Sequence, residues 1–166
     1  AEQQFKRQAN NIQILFGIID KRSEANISTL LPKAQIAARQ MLKAALAFNP
    51  NAQIISGTRT YEEQTALYSK GRYGNKELRV TNARAGQSYH NFGLAWDIGL
   101  FTPGNKYLTI DILYKELAAN LLSSLPNIEW GGHWKTFKDY PHYQLKTQHT
   151  NIATIKTRFE TGKPYT

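Results

Sequence analysis

Residues 88–97 read SYHNFGLAWD, and they place a histidine, His90, in front of a segment that ends on an aspartate, Asp97. Residues 94–100 alternate large apolar side chains with small or polar ones, which is the pattern of a strand with one buried face. Asp97 falls on the face opposite the large apolar residues. We therefore predict a loop that carries His90 and leads into a strand that carries Asp97.

A second motif follows further along the chain, where residues 139–142 read DYPH. It adds a second imidazole, His142, and a second carboxylate, Asp139. Zinc in a catalytic site typically takes three protein ligands of nitrogen or oxygen type and leaves a fourth position for water. His90, Asp97 and His142 are the candidates for these ligands. The helical zinc motif H-E-x-x-H is absent, so the fold has to bring the three residues together.

The residues around the second motif, 129–144, read EWGGHWKTFKDYPHYQ. This stretch and the pattern S-x-H-x-x-G-x-A-x-D over residues 88–97 resemble the D-Ala-D-Ala metallopeptidase branch of the LAS peptidases. That group is named for lysostaphin, D-Ala-D-Ala metallopeptidases and sonic hedgehog. The resemblance is strongest to L-alanyl-D-glutamate endopeptidases, including those of the phage endolysin type, and it covers residues 23–144. It implies one Zn²⁺ ion held by His90, Asp97 and His142.

A zinc peptidase also needs a general base that takes a proton from the attacking water and returns it to the leaving amine. Asp139 and Glu129 compete for this role. The resemblance favours Asp139, because the base in the resembling enzymes lies three positions before the last histidine ligand. Positions i and i+3 face opposite sides of a regular strand, so the backbone has to bend between Asp139 and His142, and the proline there makes a bend reasonable. Glu129 is then expected to orient the substrate or to support a ligand.

The resemblance also assigns residues to the substrate. Arg59 matches an arginine that stabilises the oxyanion of the tetrahedral intermediate, a role for a fixed cation in a water-poor site. Ser88 matches a serine that hydrogen-bonds the substrate, although a loop cap is an equally good interpretation of this residue. Several aromatic residues lie close to the motifs, and Trp130 and Tyr143 are the candidates for substrate contacts. Two others, Trp134 and Phe137, are interpreted as structural.

Local signals predict the elements around these motifs. Pro32 suits the first turn of a helix that runs to Phe48 with an apolar stripe, and a short strand is expected over residues 52–56. Thr60 and Glu63 form a capping box for the next helix, which we expect to end near Lys70, before a left-handed Gly71.

The second half of the chain continues the mixed pattern. Residues 72–87 are rich in glycine, arginine and asparagine and predict a long loop near the site. An amphipathic helix is expected over residues 111–122, with Ile110 on its apolar stripe, followed by a strand over residues 140–145 and a short packed helix in the tail. The apolar run at residues 12–19 fits a helix or a strand equally well.

These elements predict an α+β fold, with a small antiparallel sheet flanked by helices, and the resemblance makes it hedgehog/DD-peptidase-like. We expect residues 1–166 to form a single domain. Its motif-bearing core spans about residues 23–145, and the N-terminal extension and the C-terminal tail pack on that core.

Composition narrows the possible partners. The net charge of +9 and the pI near 9.8 favour an anionic partner, but no Lys/Arg tract or RNP-type strand indicates nucleic acid. The chain has no cysteine, which excludes disulfides and thiolate zinc ligands. No segment approaches the roughly 20 apolar residues of a membrane span, so no stable membrane insertion is expected. We expect a monomer.

The resemblance implies zinc-dependent hydrolysis of a peptidoglycan stem peptide, with the L-Ala–D-Glu bond as the expected target. Two alternatives stay open: a D-Ala-D-Ala carboxypeptidase or dipeptidase, and a zinc-bearing binding module without catalysis. Asp139 and Arg59 argue against the module, because a structural zinc needs neither a base nor an oxyanion partner. Action in the cell wall, the periplasm or outside the cell is expected, after export or phage-mediated release, although no signal is visible in the sequence.

Overall fold

The structure is a computed structural model, and it describes residues 20–166. Its helices are α1 (Lys21–Ile27), α2 (Pro32–Phe48), α3 (Tyr61–Ser69), α4 (Asp111–Leu121) and α5 (Ile152–Glu160). Its strands are β1 (Gln53–Ser56), β2 (Ala95–Gly99), β3 (Ile128–Trp130) and β4 (His142–Leu145). Short 3-10 turns cover Tyr89–Phe92, Leu122–Ser124 and Gly131–His133. The apolar run at residues 12–19 and the rest of the N-terminal extension lie outside the described residues.

The four strands form one antiparallel sheet in the order β1-β2-β4-β3. The two central strands, β2 and β4, carry the two sequence motifs, and Asp97 lies directly opposite His142 in their register. The prediction of a small antiparallel sheet flanked by helices in an α+β arrangement is confirmed. This register decides the site, because residues directly opposite each other in an antiparallel pair point to the same face.

The other face of β2 builds the core. Leu94, Trp96 and Ile98 are completely buried, as the alternation predicted. They belong to the same core cluster as the buried stripe of α2, which includes Met41 and Leu42. Burial of each large apolar side chain contributes about 1.5–3 kcal/mol to folding. The core therefore fixes the strand orientation that sends Asp97 to the opposite face.

The local signals around α2 and α3 are also confirmed. Helix α2 spans the predicted residues, and Thr60 and Glu63 form both hydrogen bonds of the capping box at the start of α3. Helix α3 ends at Ser69, and Gly71 has a φ of +77°. One detail was wrong, since Ile110 is 54% exposed and is not part of the buried stripe of α4. Ile110 is the N-cap residue of that helix, so its side chain lies before the first full turn.

Within residues 20–166, no helix combines the length and the apolar character that crossing a bilayer requires.

Candidate active site

The 3-10 turn Tyr89–Phe92 brings His90 to the side chains of β2 and β4. Ser88 caps this turn, because its Oγ accepts a hydrogen bond from the His90 amide at 3.2 Å. Gly93 then ends the turn with a φ of +70° and allows the chain to enter β2. In this structure the Ser88 hydroxyl therefore caps the turn, as one of the two interpretations predicted. Ser88 also lines the cavity of the site.

The turn that carries His90 is fastened to the segment that carries Arg59. The Arg59 amide donates to the His90 carbonyl at 2.9 Å, and the Asn91 side chain donates to the Arg59 carbonyl at 3.1 Å. These paired contacts hold the two backbones side by side. The distance between the imidazole and the guanidinium is therefore set by the backbone as well as by side-chain packing.

His90, Asp97 and His142 form one cluster, in which one ligand atom of each residue lies within 4.8 Å of the others. Asp97 Oδ1 is 3.3 Å from His90 Nε2 and 3.5 Å from His142 Nδ1. Two atoms that bind one zinc ion at 2.0–2.1 Å with a tetrahedral angle stand about 3.3–3.4 Å apart. The separations of 3.3 and 3.5 Å are close to this value.

Hydrogen bonds fix which imidazole nitrogens face Asp97. His90 Nδ1 lies 2.9 Å from the Gly57 carbonyl, which can only accept, so Nδ1 carries the proton. His142 Nε2 lies 2.7 Å from Gln144 Oε1 and donates to it. The orientation of the Gln144 amide is set because its nitrogen donates to the Glu129 carboxylate at 3.3 Å. When both imidazoles are neutral, the lone pairs of His90 Nε2 and His142 Nδ1 therefore point toward the Asp97 carboxylate.

Asp97 Oδ1 is buried, and with both imidazoles in these neutral tautomers it accepts no hydrogen bond within residues 20–166. Two lone pairs and a carboxylate oxygen that face one another repel unless a cation lies between them. A proton is the alternative: burial lowers the pKa of His142, but its hydrogen bond and charge interaction with Asp97 outweigh burial and raise it. The two imidazole nitrogens and the carboxylate oxygen thus fit a divalent metal ion such as Zn²⁺. Without the ion, a proton between His142 and Asp97 would take its place.

Asp139 lines the same cavity as these three residues. It precedes β4 in a turn, in which the His142 amide contacts the Asp139 carbonyl at 3.3 Å. The predicted bend between Asp139 and His142 is therefore present. Burial, followed by the nearby charge of Asp97, raises the pKa of the Asp139 carboxyl above its usual range. A carboxylate in this environment is a better proton acceptor than one in water.

The Arg59 guanidinium contacts the outer oxygen of Asp97, with Nη2 3.3 Å from Oδ2. It also contacts Ser56 Oγ and Gln64 Oε1, both at 3.4 Å. These long contacts leave other N–H groups of the guanidinium available, and Arg59 lines the cavity. Sequence reasoning missed Gln64, a completely buried polar residue on α3 that supports Arg59.

The cavity measures about 950 Å³, and its wall includes aromatic residues that we interpreted as structural. The Trp134 ring lies 4.8 Å from the His142 ring, measured between centroids. Phe137 is 76% exposed and has a positive φ of 51°. Both side chains line the cavity. The structural interpretation of Phe137 is wrong because this side chain is exposed, whereas that of Trp134 stays a prediction. Their positions are suited to contact a bound substrate.

Two candidates for substrate contacts lie elsewhere. Tyr143 is completely buried and faces the core, because it follows His142 in β4 and successive side chains alternate between the faces of a strand. Trp130 is 7% exposed, its indole N–H donates to the Tyr140 carbonyl, and it lines a separate cavity. The prediction that these residues bind substrate is corrected accordingly.

Glu129 is on β3 and lines a neighbouring cavity of about 420 Å³. Its carboxylate accepts from Gln144, which in turn accepts from His142. Glu129 therefore acts on a candidate metal ligand through Gln144, an arrangement that typically orients the ligand and increases its basicity.

Known proteins are similar to this chain in sequence and in fold. A family model described as VanY, D-alanyl-D-alanine carboxypeptidase, matches residues 28–150. The chain belongs to this VanY family. The matched range contains the candidate ligands together with Arg59 and Asp139, and the resemblance inferred from the motifs is confirmed.

Two relatives add detail to the VanY match. The chain is 40% identical over 118 residues to the peptidoglycan L-alanyl-D-glutamate endopeptidase CwlK of Bacillus subtilis. This alignment covers 63% of the chain and 66% of CwlK, so the chain spans just under two thirds of the length of that relative. The crystal structure of the L-Ala D-Glu endopeptidase ChiX of Serratia marcescens has a TM-score of 0.55 at 26% identity, over 77% of this chain and 89% of ChiX.

Gly131 offers a test of how tightly the VanY-family site is packed. A Cβ at this position would lie 2.5 Å from the Asp139 carbonyl oxygen and 3.0 Å from His142 Cβ. We expect Gly131→Ala to destabilise the fold by about 1–3 kcal/mol through overpacking and to reduce activity by displacing both residues. Chemical denaturation and an activity assay measure the two effects. Gly104→Ala is the control, because its Cβ would meet nothing closer than 3.8 Å; equal stability of both variants would contradict the prediction.

Proposed function

We propose that this protein is a zinc-dependent peptidoglycan hydrolase that cleaves the L-Ala–D-Glu bond of the stem peptide. The observation that supports this proposal is the arrangement of one cavity, which brings together the His90–Asp97–His142 cluster, the carboxylate of Asp139 and the guanidinium of Arg59. A metal cluster with a nearby base and a nearby cation is the arrangement that hydrolysis of an amide requires.

The proposed zinc ligands are His90 Nε2, Asp97 Oδ1 and His142 Nδ1. When bound, Zn²⁺ lowers the pKa of a coordinated water to about 7 and polarises a carbonyl oxygen. The protein contributes the orientation of the donors. The Gly57 carbonyl and the Gln144 side chain hold the two imidazoles in the required tautomers.

Asp139 is the proposed general base. Its carboxylate takes the proton from the attacking water and, once protonated, donates it to the nitrogen of the leaving amine. The raised pKa suits both steps, because a weakly acidic carboxyl accepts a proton more readily and keeps it until the amine departs. Glu129 is the weaker candidate, since it lies in the neighbouring cavity and is hydrogen-bonded to Gln144.

Arg59 is proposed to stabilise the negative charge that develops on the carbonyl oxygen. Its guanidinium is held by Asp97, Ser56 and Gln64, so it does not have to reorganise as the charge appears. Fixed donors of this kind typically contribute about 2.7–4 kcal/mol to lowering a barrier. Ser88, which lines the cavity, is retained as a substrate contact.

The choice of bond rests on the relatives. CwlK and ChiX are named as endopeptidases for the L-Ala–D-Glu bond, and this favours the same bond here. The VanY description favours a D-Ala-D-Ala carboxypeptidase as the second candidate. A binding module without catalysis is disfavoured by Asp139 and Arg59. We propose that it acts where such a substrate lies, at the cell wall, in the periplasm or outside the cell, and that it acts as a monomer.

Mass spectrometry of fragments released from purified peptidoglycan tests the proposal. Three samples are compared: protein with zinc, protein treated with a chelator, and chelated protein to which zinc is restored. We expect fragments with new N-terminal D-Glu that disappear on chelation and return with zinc. Released D-Ala or D-Ala-D-Ala would support the carboxypeptidase or dipeptidase instead. No release, with one zinc ion still bound per chain, would support the binding module.

A further inference from the structure

Apart from the residues of the proposed catalytic site, all charged residues in the wall of the cavity are positively charged. Asp97 is a proposed ligand, Asp139 is the proposed base beside the cluster, and Arg59 is paired with Asp97. The remaining charged side chains of the lining are Arg79, Lys135 and Lys138, all cationic. The acidic Glu129 lies in the neighbouring cavity. A substrate that extends from the metal centre into this cavity therefore meets positive charge.

Arg79 is the cation best suited to bind a carboxylate. It belongs to the long loop over residues 72–87, which contains two further arginines. Arg72 contacts the Tyr68 and Thr81 carbonyls at 2.6 and 3.1 Å, and Arg84 lies 5.2 Å from the centre of the Tyr68 ring. Neither lines the cavity. Arg79 lines it, and within residues 20–166 its terminal nitrogens have no hydrogen-bond partner.

Within the loop, Arg79 is held at its Nε atom, and its two terminal nitrogens are not held. Arg79 Nε donates to the Gly71 carbonyl at 3.4 Å, and a Cβ on Gly71 would lie 2.6 Å from Arg79 Cγ. The loop is tied to α3 by Arg72, which donates to the Tyr68 carbonyl, and by Gln64, whose side-chain amide donates to the Ala83 carbonyl at 2.9 Å. The base of the side chain is thus positioned while the guanidinium edge stays open to the cavity. A guanidinium edge binds a carboxylate through two parallel hydrogen bonds, which a lysine cannot do.

We infer that Arg79 binds the free α-carboxylate of D-Glu and makes the enzyme selective for stem peptides in which this group is not amidated. The inference rests on the proposed function. In the stem peptide, D-Glu continues through its γ-carboxyl, so its α-carboxyl remains beside the scissile amide. Amidation converts that group to a neutral carboxamide, which cannot form the charged pair. Lys135 and Lys138 add long-range attraction without the paired geometry.

Two synthetic stem peptides that differ only in the α-group of D-Glu, carboxylate or carboxamide, test the inference. We expect the zinc-loaded enzyme to hydrolyse the carboxylate form with a kcat/KM higher by about tenfold or more, since a hydrogen-bonded charged pair has a typical effect of this size. Arg79→Gln should reduce this ratio to about one, and Arg79→Lys should leave an intermediate ratio. Lys43→Gln is the control: it removes one charge from the exposed face of α2 and should keep the wild-type ratio.

Equal hydrolysis of the two peptides by the wild type would overturn the inference, and so would an unchanged ratio in Arg79→Gln. If neither peptide is cleaved, the proposed function is wrong, and the inference about Arg79 is then tested by a binding measurement. Calorimetry with D-Glu and D-isoglutamine fragments should show tighter binding of the carboxylate form in the wild type and equal binding in Arg79→Gln. The opposite result in that titration would exclude Arg79 as a carboxylate-binding residue.

Discussion

Asp139→Asn is expected to lower hydrolysis of the stem peptide by about 10²–10⁴-fold, the usual contribution of a general base, while zinc binding stays at one ion per chain. Asparagine keeps the shape of the side chain but cannot take a proton from water. Asp139 lies outside the three-residue cluster, so the metal ligands keep their positions. The fold should also survive, because burial already disfavours the charged form of this carboxyl.

The measurement pairs steady-state kinetics with the zinc content of each purified variant. Glu129→Gln is the matched control, because it makes the same chemical change in the carboxylate that competes for the role of base. Glu129 acts on His142 only through Gln144. Residues that support a metal ligand typically contribute about 10–100-fold, and we expect the loss here to be near the lower limit, because glutamine keeps an oxygen that can accept from Gln144. A large loss in Glu129→Gln with near wild-type activity in Asp139→Asn would reverse the assignment of the base.

The parts of the fold that the sequence predicts well are those fixed by local chemistry. Helix α2 begins at Pro32 and runs for its predicted length, because the first-turn proline and the apolar periodicity agree. The alternation around β2 identifies Asp97 as the residue that faces away from the core, and the core burial of Trp96 confirms it. The candidate ligands follow from the motifs, since each motif combines a ligand with the backbone signal that orients it.

The errors have two physical origins. Tyr143 was placed in the substrate cleft although it is adjacent to His142 in β4, and strand alternation alone requires the two side chains to face opposite sides. The same rule applied to Gln144 would have identified the residue that orients His142. Phe137 and Arg79, in contrast, reach the cavity through irregular backbone. Their positions depend on contacts within irregular loops, such as that of Arg79 with Gly71, and have no periodic signature in the sequence.

Asp97→Asn should abolish stoichiometric zinc binding and, with it, hydrolysis. The buried Oδ1 of Asp97 is the one anionic donor in the cluster, and it faces two imidazole nitrogens at 3.3 and 3.5 Å. An amide has almost the same shape but no charge, so a divalent ion would be held by two neutral imidazoles and a weak oxygen. We expect zinc affinity to fall by at least about 100-fold, a loss of about 2.7 kcal/mol or more.

Thermal unfolding separates this effect from general damage to the fold. A ligand that binds only the folded state stabilises it by about 2.7 kcal/mol at a concentration of 100 times its Kd, so zinc should raise the Tm of the wild type and leave that of Asp97→Asn unchanged. Glu116→Gln, which alters an exposed carboxylate on α4, should respond to zinc as the wild type does. If Asp97→Asn bound zinc with wild-type affinity, the metal would have to lie elsewhere, and the facing lone pairs of His90 and His142 would then need a proton in place of an ion.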